Sequence, residues 1–208
     1  MSKFYLTVDG VTENTVEIKR SKFIATLSHV ESGEDAEAFV RAVRKRYPDA
    51  THNCYAYIAD ELGNETRFSD DGEPGGTAGQ PMLEVLRKKG IVKAAVVVTR
   101  YFGGIKLGAG GLVAAYTDSV SEVLDAAGIR RMTECAEVTV ECDYSDHSAI
   151  ESALTRAGAL RGEAVYGENV RSVWYAETDK SGELLELVSA KTLGKVRAEI
   201  TGRCYKAL

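Results

Sequence analysis

VVVTRYFGGIKLGAGGLVAA, residues 96–115, combines a strand pattern, a glycine-rich connection and the start of a helix. The run AAVVVT (94–99) is short, β-branched and free of charge, which is typical of a strand buried on both faces. From Leu112 onward apolar residues recur at helical spacing, and Gly128 is predicted to end that helix as a left-handed C-cap. The glycines at 103, 104, 108, 110 and 111 are predicted to lie between the two elements. Glycine allows close approach of the backbone, and the first amides of a helix lack partners, so this junction is suited to holding an anion.

Length, charge and cysteine content limit the class of protein. A chain of 208 residues is long enough for one large or two small domains with their own cores. The net charge of −5 argues against non-specific coating of nucleic acid, although it leaves room for a local basic face. The cysteines, 4 in number, are scattered without a CxxC pair, so buried reduced thiols are predicted rather than a zinc site. No apolar run approaches the roughly 20 residues of a membrane helix, and no signal-peptide pattern is present, so a cytoplasmic protein without membrane contact is expected.

The first part of the chain predicts an antiparallel sheet with helices. Strands are expected at residues 4–8, 15–30, 53–58 and 66–69, and residues 15–30 are expected to form a bent or bulged antiparallel arrangement around 20–22. A helix is expected from Glu34 until Pro48 ends it, and another over 80–89. Thr77 with Gln80 three residues later predicts a capping box at the start of the second helix.

After Gly128 the pattern restarts as a second unit of the order βαββαβ. Strands are predicted at 132–142, 159–166, 170–178 and 195–205, with helices at 143–157, capped by Ser145, and at 181–191. This order is the split βαβ or ferredoxin-like arrangement. Residues 1–131 carry 17 basic and 18 acidic groups and residues 132–208 carry 9 and 13, so most of the negative charge belongs to the second unit. An α+β protein with domains at 1–130 and 131–208 is therefore predicted.

Three segments of the first domain, 52–57, 67–81 and 99–108, carry the residues suited to ligand chemistry. They place Arg67, Arg100 and Lys106 beside glycine-rich backbone and aromatic side chains, a combination that suits phosphates and bases. Alternatively, the glycines only form tight turns and the cations balance neighbouring acids. The predicted ligand-binding or nucleic-acid-binding residues are Arg67, Asp70, Asp71, Glu73, Thr77, Arg100, Tyr101, Gly103, Gly104, Lys106, Gly108 and Gly110.

Other chemistries are less favoured by the residues. Asp70, Asp71 and Glu73 offer carboxylates for Mg²⁺, but exposed acids in such a loop are commonly only solvated, and no other cofactor is predicted. His52 and Cys54 alternate onto one face of a strand, yet Cys54 is expected to join the core, so cysteine catalysis is not predicted. A P-loop is absent because Ala109 and Gly110 occupy the positions of its lysine and its serine or threonine, and the glycines do not form a Rossmann fingerprint.

The chain contains two long blocks, RFSDDGEPGGTAGQPML (67–83) and VVVTRYFGGIKLGAGGLVAAY (96–116), which are preceded by SKFIA (21–25) and HNCYAY (52–57). These segments closely resemble the YigZ/IMPACT family in its bacterial two-domain branch. The resemblance implies a first domain with the ribosomal protein S5 domain 2-like fold. It implies a ferredoxin-like second domain similar to the last domain of elongation factor G. Both folds are shared with translation proteins. In eukaryotic members the conserved domain accompanies a different domain that modulates an amino-acid-starvation kinase, and that domain is absent from this chain.

Three functions follow as hypotheses. The first is a non-catalytic, translation-associated regulator that presents residues 67–81 and 99–108 to RNA, a ribosome or a translation factor. The second is an enzyme acting on a phosphorylated or nucleotide substrate, with phosphate bound at Gly104–Gly111. It is suggested by small-molecule kinases of the same superfamily, whose loop has serines where Gly110 and Gly111 stand here. The third gives the glycines a purely architectural role and assigns binding to an edge of the C-terminal sheet.

Overall fold

A computed structural model describes residues 3–208, and the chain divides into two compact units. One unit is Tyr5–Arg130, and the other contains Arg131–Leu208 together with the described residues before Tyr5. No helix in the described part of the chain is both long and apolar enough to cross a membrane.

The first unit is a mixed arrangement of one antiparallel sheet and three helices. Its sheet has the strand order β2-β3-β6-β4-β5, and β1 reaches Ile91 through a parallel bridge at Leu6. The elements up to the end of this unit are β1 (Phe4–Val8), β2 (Val11–Ile18), β3 (Ser21–His29), α1 (Gly33–Arg46), β4 (His52–Ile58), β5 (Thr66–Ser69), α2 (Gly79–Lys89), β6 (Ala94–Tyr101) and α3 (Gly108–Ala126).

Strand β6 is central to the sheet and is buried on both faces, as its apolar run predicts. Val96 and Val98 belong to the large core that α2 and α3 cover. Ala95 and Val97 belong to the smaller clusters under α1. The strand extends past the predicted end at Thr99 to Tyr101, which carries Arg100 into the sheet.

Helix α3 begins earlier than its apolar pattern predicts. Its first residue is Gly108, so Gly110 and Gly111 belong to its first turn rather than to the connecting loop. The predicted left-handed end at Gly128 is wrong: the C-cap is Ala127, with φ −79° and ψ 147°. The reason is that the next strand starts at Ile129, so the chain leaves the helix in extended backbone.

The capping box predicted at the start of α2 is also wrong. Thr77 does not cap the helix, because its hydroxyl donates instead to the carbonyl of Pro74 at 2.7 Å. The side chain of Asp70 supplies the acceptor: its Oδ1 receives the amides of Ala78 at 3.0 Å and Gly79 at 2.8 Å. The loop folds back on itself to bring Asp70 there, and such a cap has no local sequence signal.

The strand predicted at 15–30 is a hairpin of β2 and β3. Its turn residues Lys19 and Arg20 have φ of 48° and 66°, and Ile18 pairs with Ser21. Positive φ at both central residues is the two-residue hairpin geometry that matches strand twist. The turn therefore starts one residue before the position predicted at 20–22, and the antiparallel arrangement expected there is a full hairpin rather than a bend or bulge.

The second unit has the predicted element order βαββαβ, with antiparallel strands ordered β10-β7-β9-β8. Helix α4 begins at Tyr144 with Asp143 as N-cap, so the cap predicted at Ser145 is wrong by two residues. Its core contains Val138, Trp174 and Leu184. The elements are β7 (Ile129–Cys142), α4 (Tyr144–Arg156), β8 (Leu160–Tyr166), β9 (Val170–Glu177), a short 3-10 helix (Thr178–Lys180), α5 (Ser181–Lys191) and β10 (Ala198–Lys206).

All four cysteines are free thiols. Cys54, Cys135 and Cys142 are buried, as the sequence predicts. Cys204 is only partly buried, because β10 is an edge strand with β7 on one side.

Candidate functional site

The site is built on a row of three side chains that crosses the sheet of the first unit. Arg100 on β6 pairs with Phe23 on β3 and with His52 on β4. Directly opposed residues in a sheet point to the same face, and Phe23 belongs to the core beneath α2 and α3. The arginine therefore enters the protein on the helix-covered face, at the end of an otherwise apolar strand.

Arg100 is held by a buried ion pair. Its Nη1 lies 2.6 Å from Oε1 of Glu73, and its Nη2 donates to the hydroxyl of Ser21 at 3.4 Å. The rings of Phe23 and Phe102 lie 5.4 Å and 5.5 Å from its guanidinium carbon. A buried pair of this kind is stable only when both partners stay in place, because either charge alone is strongly disfavoured in the interior.

Two further hydrogen bonds connect the carboxylate of Glu73 to side chains in the core. The hydroxyl of Tyr116 on α3 donates to Oε1 of Glu73 at 2.8 Å, and the thiol of Cys54 donates to that hydroxyl at 3.3 Å. Burial raises the pKa of the Cys54 thiol to about 12. The thiol therefore stays protonated near neutral pH, in agreement with the expectation that Cys54 is a core residue rather than a nucleophile.

His52 is fixed in one tautomer by the main chain of the loop after β5. Its Nδ1 lies 2.8 Å from the carbonyl oxygen of Asp71, and since a carbonyl only accepts, Nδ1 carries the hydrogen. Its Nε2 lies 3.8 Å from Oε2 of Glu73. The sequence offered His52 only as a partner of Cys54, whereas the structure places it beside Glu73 and Arg100.

A cleft of about 420 Å³ opens at this cluster. Arg100 lines it, and the Nε of Arg100 is a buried donor with no hydrogen-bond partner. The start of α3 forms another wall, with Leu107 as an N-cap that makes no side-chain hydrogen bond and no acidic residue in the first turn. The other polar and apolar side chains around it include His52, Glu73, Pro74, Phe102, Lys106 and Leu112.

The structure brings four of the predicted binding residues to this cleft: Glu73, Arg100, Lys106 and Gly108. Gly110 lies in the first turn of α3 and is exposed, and Gly104 is an exposed turn residue with φ 84°. Tyr101 instead donates its hydroxyl to Asp49 at 3.0 Å.

Arg67 is not brought to the cleft. It lies on β5, where it pairs with Tyr57, and its guanidinium forms an ion pair with Glu37 of α1. Together with Arg44 and Tyr55 it lines a separate groove of about 220 Å³. The predicted single surface with Arg67, Arg100 and Lys106 is thus not formed, because β4 stands between β5 and β6 in the sheet.

The three acids proposed for Mg²⁺ make separate contacts with the protein. Asp70 accepts amides at the start of α2, and Asp71 accepts from Arg44 and from the amide of Asn53, both at 2.6 Å. Glu73 is paired with Arg100. Between residues 3 and 208 no three or more His, Cys, Asp or Glu side chains are grouped so that they would hold a metal ion.

A patch of cations beside the cleft was not found from sequence. A Cβ on Gly103 would lie 2.0 Å from the carbonyl oxygen of Arg20, so the β2–β3 turn packs directly on the loop after β6. Lys22 pairs with Tyr101 at the end of the sheet, so its side chain points to the face opposite Arg100. Phe102, which follows Tyr101 and lines the cleft, is 46% exposed. We call the set Lys19, Arg20, Lys22, Phe102 and Lys106 the basic patch. None of its cations forms an ion pair with another described residue.

The part of the chain that contains the cleft and the basic patch is similar to known proteins. The family model of the Impact N-terminal domain matches residues 19–124. The chain belongs to the IMPACT family. IMPACT family member YvyE of Bacillus subtilis is 41% identical over 92% of this chain and 88% of its own. IMPACT family member YigZ of Escherichia coli is 46% identical over 66% and 69%. The resemblance read from the glycine-rich blocks is thereby confirmed.

A solved structure extends the similarity across both units of this IMPACT family member. It is a crystal structure described as that of a hypothetical protein, 34% identical, with a TM-score of 0.64 over 97% of this chain and 99% of that one. The described residues of this chain form a mixed α and β architecture with two sheets and five helices.

Proposed function

We propose that this IMPACT family member is a non-catalytic, translation-associated regulator that binds RNA, including RNA of the ribosome, through the basic patch. Family membership supports the link to translation. The observation that supports RNA as the partner is the set of exposed cations at the end of the sheet that carries Phe102, none of which forms an ion pair with another described residue. We also propose a ribosomal protein S5 domain 2-like fold for the first unit, a ferredoxin-like fold for the second unit, and a cytoplasmic location.

The patch has the composition that single-stranded RNA requires. Lysine and arginine side chains neutralise backbone phosphates, and an exposed aromatic ring gives a base a surface to stack on. Because the whole chain carries a net charge of −5, binding is restricted to this face instead of being spread over the surface. Of the two predicted loops, residues 99–108 supply contacts, while residues 67–81 support them from inside through Glu73.

The proposal is tested by fluorescence anisotropy with a labelled single-stranded RNA over a salt series, together with co-sedimentation with ribosomes. The variant Lys22→Gln/Lys106→Gln removes two cations of the patch. We expect weaker binding and a salt slope (log affinity against log salt) that is shallower by roughly 1.4, since each phosphate contact on a single strand contributes about 0.7.

A matched control removes two charges elsewhere in the same unit. Lys45 on α1 and Lys88 on α2 are exposed and form no ion pair with another described residue. The variant Lys45→Gln/Lys88→Gln has the same net charge and should bind RNA as the wild type does. Equal weakening by both variants, or no association of the wild type with RNA at low salt, contradicts the proposal. Binding to ribosomes without binding to RNA assigns the partner to a protein.

A further inference from the structure

The cleft at the start of α3 has features that the basic patch does not use. The amides of Gly108, Ala109 and Gly110 lie in the first turn of the helix, where no carbonyl of the helix accepts from them. No side chain caps this end and no acid lies in its first turn. The positive end of the helix dipole therefore meets open space.

Gly110 adds an observation that packing does not explain. A Cβ at this position would meet no atom within 4 Å, and its φ lies outside the left-handed region. Glycine within a helix is less favourable than alanine, because it loses more backbone freedom on folding. Because Cα–Cβ bonds tilt towards the N-terminus of a helix, the missing Cβ keeps the amides at this end accessible.

A buried donor of the same cleft also lacks an acceptor. Arg100 is almost wholly buried, and its Nε makes no hydrogen bond although Nη1 and Nη2 do. A buried donor without an acceptor is destabilising, because it has lost its hydrogen bonds to water without replacing them. Lys106 is exposed, lines the same cleft and forms no ion pair with another described residue. Glu73 is the acidic residue on the wall, and Arg100 neutralises it at 2.6 Å.

We propose that this cleft binds a terminal phosphate group, the phosphate monoester of a free metabolite or of an RNA end. A monoester presents three unsubstituted oxygens, which match three kinds of donor here: the α3 amides, the Nε of Arg100 and the Lys106 ammonium. A backbone diester presents only two unsubstituted oxygens. The proposal does not depend on RNA binding by the patch.

The test is a binding titration and thermal shift of the full chain with inorganic phosphate, ribose 5-phosphate and dimethyl phosphate. The variant Ala109→Glu places a carboxylate at the second position of α3, on the wall of the cleft. An acid in the first turn is favourable for a helix, so the variant should remain folded. We expect the first two ligands to raise the melting temperature, dimethyl phosphate to have no effect, and Ala109→Glu to weaken binding about ten-fold or more.

The matched control is Ser145→Glu, the same change of charge at the exposed second position of α4 in the other unit. It should bind phosphate as the wild type does. Two RNAs of one sequence, one with a 5′-phosphate and one with a 5′-hydroxyl, distinguish the two sources of the phosphate. If the protein prefers the phosphorylated RNA and Ala109→Glu abolishes this preference, the ligand is an RNA end. If the protein shows no such preference but still binds ribose 5-phosphate, the ligand is a free metabolite. No binding of phosphate or ribose 5-phosphate at millimolar concentration, or equal binding by Ala109→Glu, overturns the inference while leaving RNA binding by Lys22 untouched.

Discussion

The carboxylate of Glu73 and the guanidinium of Arg100 meet at 2.6 Å, with only 3% and 6% of the two side chains exposed. They lie 27 residues apart, one in the loop before α2 and the other at the end of the central strand. This ion pair fixes the loop over the sheet and sets one wall of the cleft. The position of the loop thus depends on an ion pair whose two side chains are almost wholly shielded from water.

We expect Glu73→Gln to destabilise the protein by about 3–5 kcal/mol, because it leaves the charge of Arg100 buried without a counter-charge. Urea unfolding followed by circular dichroism measures this free energy of unfolding. The exposed pair of Arg87 with Glu84 on α2 supplies the control, and Glu84→Gln should change stability by less than about 0.5 kcal/mol. The double variant Arg100→Met/Glu73→Gln should recover much of the loss; if it does not, the unpaired charge is not the cause.

Asp70 should matter more for α2 than the capping box that the sequence suggests. Its side chain accepts three amides, those of Gly76, Ala78 and Gly79, so Asp70→Ala should cost about 1–3 kcal/mol. Among the described residues the side chain of Gln80 bonds only to Glu84 at the surface, and Gln80→Ala should stay within about 0.5 kcal/mol of the wild type. Thermal unfolding of both variants measures the difference, and similar losses would mean that Asp70 is not the cap.

Cys54 should make the protein less stable at alkaline pH. Its pKa is about 12 in the folded protein against an ordinary value of 9.0, so only the unfolded chain ionises between these values. The stability that the protonated Cys54 thiol contributes to the folded protein is therefore fully present below pH 9 and is lost as the pH rises towards 12. Between pH 8 and pH 10 the loss is about 1.4 kcal/mol.

The variant Cys54→Ala lacks this group and should lose correspondingly less stability over the same interval, whatever its stability at pH 8. Urea midpoints at the two pH values measure the difference. Cys204→Ala is the comparison: burial raises the pKa of the Cys204 thiol too, but this side chain is only partly buried, so its removal should change the pH dependence less than Cys54→Ala does. Identical pH dependence in the wild type and Cys54→Ala would show that another group accounts for the alkaline loss.

Phe102 should contribute to RNA binding by stacking rather than by charge. Phe102→Ala should weaken binding of single-stranded RNA by roughly 1–3 kcal/mol while leaving the salt slope unchanged. Phe68 on β5 has a similar exposure, 42% against 46%, and Phe68→Ala serves as the control. Anisotropy titrations at three salt concentrations separate the two effects, and a shallower slope in Phe102→Ala would contradict stacking.

Cys135 and Cys204 should form a disulfide when the protein is treated with diamide. They stand directly opposite each other on β7 and β10, and opposed residues of an antiparallel pair have Cα separations within the range of a disulfide. The two thiols lose two hydrogens to the diazene, which becomes a hydrazine. Peptide mapping by mass spectrometry under non-reducing conditions should find this link and no link between Cys54 and Cys142.

The sequence by itself determined the features that depend on local patterns: the burial of single elements, their order along the chain, and the family. The charge-free run 94–99 predicts a strand buried on both faces, and β6 is such a strand, because apolar content alone decides that burial. The order βαββαβ after Gly128 follows from periodicity and turn residues in the same way. Family membership follows from the glycine-rich blocks, which the match over residues 19–124 confirms.

Tertiary structure alone decided which side chains meet. Arg67 and Arg100 look alike in sequence, yet the strand order puts Arg67 beside Glu37 and Arg100 inside against Glu73. The cap of α2 comes from Asp70 rather than from Thr77, because the loop reverses to bring a distant carboxylate to the helix start. The turn at Lys19 and Arg20 packs against the loop after β6, and it can do so only because Gly103 has no side chain. Strand pairing and loop reversal bring together residues that are distant in sequence, and no local pattern encodes those distances.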